Sequence, residues 1–383
     1  MILIQNADVF TPEYIGKKDV LLCGGKIETI SDSINFGSLF PFCYVIDGTG
    51  KKLVPGIIDP HVHITGGGGE GSFHTQVPPL SLSELIKGGV TTVVGLLGTD
   101  GITRSAENLI AKAKSLKEEG LSVYACTGSY SYPSCTLTES VQKDILFIDE
   151  IIGVKLALSD HRAPNVSLEE LIRLGSDVRV AGMLSGKCGM VTLHMGDDIR
   201  GLSLVREALQ NTSIPAKTFH PTHVNRNRRL LEEAFDFARQ GGYIDLTCGI
   251  TGCDRPAACI AKASEREIPL DRITISSDGM GSWSTYDDAG NLLEIGYSSC
   301  DTLYKELQVL VREYGMPLEK ALSFMTANTA RSLEIFPKKG CIQTGSDADL
   351  LLLTEELDLD TVIANGEIFM ENGRLIKKGT YEK

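Results

Sequence analysis

Eight apolar, strand-like runs recur through the middle of the chain, and most are separated by a helix-like stretch. They are Ile57–His61, Thr91–Leu97, Ser122–Thr127, Gly153–Leu158, Met190–His194, Ala216–His220, Tyr243–Thr247 and Arg272–Ser276. The segments between them include AENLIAKAKSLKEEG, SLEELIRLGSDVRVAG, SLVREALQ, RRLLEEAFDFARQGG and RPAACIAKASERE. Near-continuous apolar strands alternating with amphipathic helices imply a parallel sheet covered by helices. Eight such units over about 280 residues match the pattern and size of a (β/α)8 TIM barrel. A doubly wound open sheet is the competing architecture. It usually has fewer strands, and no GxGxxG opens a helix after any strand here.

The two ends of the chain read differently from the middle and like each other. MILIQNADVF, DVLLCGGKIETI and YVIDGTGKKLVPG are β-rich runs broken by Gly, Asp and Pro, and Cys23–Thr29 reads as a hairpin turned by its glycines. Residues 346–383 again give short strands, with Asn-Gly turns at 365–366 and 372–373. The ends are therefore expected to join as one small β-sandwich domain, from residues 1–55 and 337–383. Residues 56–336 would form the barrel inserted between them.

The 383 residues suit one large domain with a small one, and 42% hydrophobic side chains supply an ordinary globular core. A formal charge of −13 opposes binding to polyanions, so no nucleic-acid partner is expected. The start, MILIQNADVFTPEY, carries Asp8 and Glu13 and does not read as a secretory signal. No stretch reaches the roughly 18 apolar residues of a membrane span, and the expected location is cytoplasmic. Ten scattered cysteines with no CxxC then read as reduced thiols, with a nucleophilic cysteine as the weaker alternative.

Only seven histidines are present, so their places are informative. His61 and His63 form an H-x-H at the end of the first barrel strand. Residues two apart on a strand face one side, so both rings can reach one ion. Lys155 stands among apolar residues in the fourth strand, His194 ends the fifth, His223 follows the sixth and Asp278 ends the eighth. Five strands thus bring metal-ligand types to one mouth of the barrel, the end where such barrels carry their chemistry.

With these residues placed, the chain resembles the amidohydrolase superfamily, and within it the branch that cleaves isoaspartyl (β-aspartyl) dipeptides. The matching stretches are DPHVHITGGGGEG, GVTTVVGLLGTDGITR, GVKLALSDHR, TLHMGD, PTHVNRN and SSDGMGS, with GSDADLLLL in the tail. The likeness runs over essentially the whole chain. It implies two zinc ions per chain, one on His61, His63 and Asp278 and the other on His194 and His223. Lys155 would bridge them as a carbamate, since an ammonium cannot ligate a cation. A hydroxide between two cations would attack the amide carbonyl, with Asp278 as general base and then acid. A buried salt bridge is the plain structural alternative for Lys155.

The resemblance also assigns the substrate contacts. Gly66–Gly69 with Glu70 would be a substrate loop, Gly68 touching the ligand and Glu70 meeting its ammonium. Thr99 and Ser282 would add hydroxyls, and Arg162 and Arg226 would grip carboxylates. Tyr130 would donate to the developing oxyanion, with Tyr132 the alternative. His161 is expected to orient the site, His74 to lie in a loop, and His220 to depart from the family pattern. Residues Gly279–Ser299 suggest a lid or an oligomer contact, and the resemblance implies a homo-oligomer, with an octamer as the form it suggests. The rival readings are a cyclic amidohydrolase, such as a dihydroorotase or hydantoinase, and a non-catalytic scaffold on the same fold. The scaffold would be expected to have lost ligands that are all present here.

Overall fold

A computed structural model of the chain describes residues 1–35, 43–249, 254–287 and 289–383. The first strands are β1 (Ile2–Phe10), β2 (Tyr14–Cys23) and β3 (Lys26–Ser31), antiparallel in that order. Gly24 and Gly25, at φ 57° and 77°, turn β2 into β3. β4 (Tyr44–Asp47) and β5 (Lys52–Pro55) run parallel to β1.

The alternating region follows. β6 (Ile57–Val62), β7 (Val90–Gly95), β8 (Ser122–Gly128), β9 (Ile151–Leu158), β10 (Met190–Met195) and β11 (Phe219–Thr222) form one parallel sheet in sequence order. β12 (Ile244–Thr247) and β13 (Ile273–Ser276) form a parallel pair. β12 lies against β11 and β13 against β6, so the eight strands follow one another around a common interior. Every residue of β7, β9, β10, β12 and β13 is buried, as expected of parallel strands covered on both faces.

Helices connect the strands: α1 (Leu82–Lys87), α2 (Ala106–Glu118), α3 (Val141–Phe147), α4 (Leu168–Ser185), α5 (Ser203–Asn211), α6 (Arg228–Arg239) and α7 (Pro256–Glu265). α4 begins at a capping box, in which Glu170 and Ser167 satisfy each other's backbone N–H groups. α6 buries Leu230, Leu231, Ala234, Phe235, Phe237 and Ala238 on one face, which explains its helical spacing. The sixth strand starts later than the apolar run suggests. The Thr218 N–H closes a tight turn on the Pro215 carbonyl, and extended pairing begins only at Phe219.

Much of the 279–299 segment is an antiparallel hairpin of β14 (Ser282–Tyr286) and β15 (Leu292–Tyr297). The tail then gives β16 (Leu350–Leu353), β17 (Leu359–Ala364), β18 (Glu367–Glu371) and β19 (Arg374–Leu375). Asn365–Gly366 and Asn372–Gly373, all at positive φ, turn the last two hairpins. β16 pairs antiparallel with β5, so head and tail share one nine-stranded sheet of order β19-β18-β17-β16-β5-β1-β2-β3, with β4 on β1. Ile4, Val20, Leu22, Leu53, Leu350 and Leu352 lie in a core of its own, apart from that of the alternating region. No disulfide joins the described cysteines, and no described helix is long and apolar enough to cross a membrane.

Candidate active site

β6 delivers His61 at its end, with His63 two residues on, and both rings are buried. Asp59 fixes this strand end. Its carboxylate accepts from the His61 N–H at 3.3 Å, the Ser277 N–H at 3.2 Å and the Ser277 hydroxyl, tying β6 to the segment after β13. Burial pushes Asp59 up to about 7 against these bonds.

Lys155, in β9, is wholly buried, with Nζ 3.0 Å from His61 Nε2. Among the described residues no carboxylate pairs with it, and burial lowers its amine to about 7. His223 follows β11 at φ 61° and directs Nδ1 to the Thr247 hydroxyl at 2.8 Å. His194, in β10, accepts from the Tyr130 phenol at Nδ1, 2.6 Å away, while its Nε2–H donates to Asp160 at 3.0 Å. Asp278 follows β13 at φ 53°, with Oδ1 3.2 Å from His63 Nε2 and 3.5 Å from His61 Nε2.

These donors fit a cation. Ligand atoms of His61, His223 and Asp278 lie within 4.8 Å of one another. Burial holds His61, His194 and His223 well below the ordinary imidazole value, in the neutral form that can ligate. His61 Nδ1, His63 Nδ1 and Asp278 Oδ1 are buried without a well-aligned hydrogen bond, which is costly unless something else satisfies them. Neutral imidazoles, a carboxylate and a poorly protonated amine form a set suited to zinc or a similar divalent ion.

A cavity of about 320 Å³ opens beside this cluster, and Asp278, His63 and His194 line it. On one wall Glu70 accepts from Ser282 at 3.0 and 3.1 Å, from Thr99 at 3.2 Å and from Arg162 at 3.3 Å. Gly68, Tyr130 and Arg226 line the same cavity, so the structure gathers every sequence-predicted substrate residue there. The glycine-rich stretch is folded rather than loose. Gly66 is at φ 81°, a Cβ on it would overlap the Val77 carbonyl, and Gly68 bridges Gln76.

Asp160 is the main residue that sequence reasoning missed. It accepts from His194, from Arg162 at 2.9 and 3.1 Å, and from Arg226 at 3.5 Å. Burial opposes its charge, but the His194 and Arg162 hydrogen bonds outweigh this and hold it well below the carboxylate range. The signal was present in the SDHR stretch, where the neighbouring His161 and Arg162 drew the attention. Thr247, Trp283 and Thr285 were also missed. His161 lies at the cavity with an exposed side chain, 3.5 Å from Asp160. His74 is exposed in a short turn. His220 is not among the residues lining this cavity; its Nε2 donates to the Lys217 carbonyl at 2.9 Å, and it lines a second, smaller cavity with His61, Thr192 and Thr222.

The fold and this cluster define a class, and the chain belongs to the amidohydrolase family, whose model matches residues 53–229 and 252–369. Two solved β-aspartyl dipeptidase structures from the thermophilic, keratin-degrading Fervidobacterium islandicum AW-1 are similar over nearly the whole chain. One, in complex with β-Asp-Leu dipeptide, is 45% identical, covers 98% of this chain and 97% of that one, and gives a TM-score of 0.93. The other is 44% identical, covers 98% of each chain and gives 0.89. A dihydroorotase of Listeria monocytogenes serotype 4a (strain HCC23) is 33% identical over 164 residues, 41% of this chain and 37% of the dihydroorotase. The chain therefore matches well under half the length of that relative. A D-hydantoinase structure at 18% identity and TM-score 0.70 shares the fold.

Proposed function

We propose that the chain hydrolyses β-aspartyl (isoaspartyl) dipeptides with a two-metal centre, on a closed eight-stranded barrel of residues 56–336. Residues 1–55 and 337–383 would form its small β-sandwich domain. One observation carries the reading. A single cavity sets the Glu70 carboxylate and two guanidinium groups, Arg162 and Arg226, beside a buried histidine–aspartate cluster; of its other two carboxylates, Asp278 belongs to that cluster and Asp197 lies 3.8 Å from Arg226. A β-aspartyl dipeptide carries one ammonium, which Glu70 can meet, and two carboxylates, which Arg162 and Arg226 can meet. Likeness to two β-aspartyl dipeptidases supports the same substrate.

In this reading Glu70 binds the ammonium, and Arg162 and Arg226 bind the carboxylates. Gly68, Thr99 and Ser282 supply neutral contacts. Zinc ions on His61, His63 and Asp278 and on His194 and His223 would supply Lewis-acid activation of water and of the scissile carbonyl. Lys155, whose buried amine is held in its neutral form, would add to carbon dioxide and release a proton, and the carbamate so formed would be a ligand to the ions. Asp278 takes the proton of the attacking water and returns it to the leaving amine nitrogen. Tyr130, whose phenol burial keeps protonated, donates to the carbonyl oxygen as charge builds there. A homo-oligomer, with an octamer as the candidate form, and a cytoplasmic location complete the proposal.

The test is turnover by zinc-loaded protein of β-Asp-Leu, α-Asp-Leu, dihydroorotate and a hydantoin. The reading expects β-Asp-Leu to be hydrolysed preferentially. Turnover of a cyclic amide with none of β-Asp-Leu would replace it with a cyclic amidohydrolase.

A further inference from the structure

The cavity has one wall unlike the charged one. Ser282, Trp283, Ser284 and Thr285, all in β14, line it. Among the described residues, no leucine, isoleucine, valine, methionine or phenylalanine lines the cavity. Two large aromatic rings remain, and Tyr130 is already covered. It is buried, its hydroxyl is on His194, and the Arg162 guanidinium lies 5.2 Å from its ring centre. Trp283 is half-buried and is the chain's only tryptophan.

The place of Trp283 is set across the hairpin. Its register partner in β15 is Gly296, and a Cβ at Gly296 would overlap the six-membered ring of the indole. The ring therefore lies over glycine backbone, where any side chain would displace it. Next to it, Ser282 holds Glu70, which ties this hairpin to the wall assigned to the substrate ammonium.

Resting on the dipeptidase reading, we propose that Trp283, seated on Gly296, receives the side chain of the leaving residue X in β-Asp-X and selects large apolar X over glycine. β-Asp-Leu and β-Asp-Gly carry the same charges at the same spacing. Glu70, Arg162 and Arg226 therefore meet both alike, and only the X side chain tells them apart. The rest of the described lining is hydroxyl, imidazole, charge and glycine, so among the described residues Trp283 is the one uncovered surface on which an aliphatic X leaves water. Apolar pockets that differ by a methylene or so discriminate by about 10–200-fold, and a single wall belongs at the lower end of that range.

The experiment measures kcat/KM on β-Asp-Leu and β-Asp-Gly for zinc-loaded wild type, Trp283→Ala, Trp283→Phe and Gly296→Ala. Wild type should favour the leucine substrate by about tenfold. Trp283→Ala and Gly296→Ala should bring the ratio towards one by losing β-Asp-Leu turnover while β-Asp-Gly turnover stays near wild type. Trp283→Phe should keep most of the preference. In the slow variant Asp278→Asn, β-Asp-Leu should shift the emission of the single tryptophan to the blue and β-Asp-Gly should not. An unchanged ratio in Trp283→Ala or Gly296→Ala, or an equal fall on both substrates, would overturn the assignment. Wild type that cleaves both dipeptides equally would also overturn it while leaving the dipeptidase reading intact. Wild type that cleaves neither refutes that reading, and this one with it.

Discussion

Lys155 Nζ lies 3.0 Å from His61 Nε2, and both side chains are buried. Two bases so placed cannot both hold a proton, because like charges at that distance in a poorly hydrated interior repel strongly. Burial resolves this by favouring the neutral form of each, and a neutral lysine amine is a nucleophile. Lys155→Ala should therefore lose the bridging ligand, bind fewer than two metal ions per chain and turn over β-Asp-Leu at least about 100-fold more slowly. Elemental analysis and kcat report the two effects. Added bicarbonate or a short carboxylate should restore part of the activity. A fully metallated, fully active alanine variant would remove the carbamate.

Metal removal gives the complementary outcome. Prolonged chelation should abolish hydrolysis, and zinc should restore it together with two bound ions per chain, since all the proposed ligands are buried and three of them, His61, His223 and Asp278, already converge within 4.8 Å. Undiminished turnover by protein shown to be metal-free would refute a two-metal mechanism.

Asp278→Asn keeps the shape of the residue but removes the proposed proton carrier. Loss of a general base costs about 10²–10⁴-fold, and kcat at saturating zinc should fall within or beyond that range. An unchanged kcat with intact metal would place proton transfer elsewhere.

Glu70 accepts from Ser282, Thr99 and Arg162 together, so it is held in place before substrate arrives. Glu70→Gln should damage kcat/KM on β-Asp-X and leave the metals bound. The wild type should prefer β-Asp-X over α-Asp-X by about 100-fold. The α isomer places its amide one methylene closer to the anchored ammonium, and a misplacement of about an ångström is costly. Equal kcat/KM on the two isomers would count against Glu70 as that anchor.

Asp160 joins His194 to Arg162 and Arg226. Asp160→Asn should weaken metal affinity by about 10–100-fold through His194. It should also raise KM through the freed arginines, a paired effect that loss of a single ligand would not produce. Metal titration and initial rates separate the two.

Away from the site, Glu150 accepts from Lys117 at 2.7 Å and from Lys114 at 3.1 and 3.2 Å. Burial opposes its charge, but these lysines lower its carboxyl to about 2, below the ordinary value of 4.5. A depressed carboxylate stabilises the fold above the ordinary value and loses that contribution as pH falls through the folded one. Glu150→Gln should therefore lower Tm at pH 7, and the gap to wild type should close between pH 4.5 and about 2. A gap independent of pH would assign the effect to packing.

The alternating region was legible because its strands are buried on both faces and read as continuous apolar runs. His61, His63, His194, His223 and Asp278 stood out as polar residues at or near the ends of those runs, and Lys155 as a charge inside one. What joins them was not legible. Asp59 meets Ser277, 218 residues on, and His223 meets Thr247 of the next strand, and nothing local marks either pair. The 279–299 segment looked like a loop because its glycines and serines hide a two-residue period. Its hairpin emerges only from pairing β14 with β15. Charge patterns could not reveal Trp283 as part of the site, since its place depends on a glycine in the facing strand.

The pairing of β5 with β16 also constrains how the chain is made. Pro55 must wait for Leu350, almost 300 residues later, before its edge is covered. At a synthesis rate of about 5–20 residues per second, β1–β5 spend roughly 15–60 s with an open strand edge. During that time the intervening β/α units emerge and can fold as a unit. The nine-stranded sheet is thus completed only after the alternating region has been made, although β1–β5 precede that region in sequence.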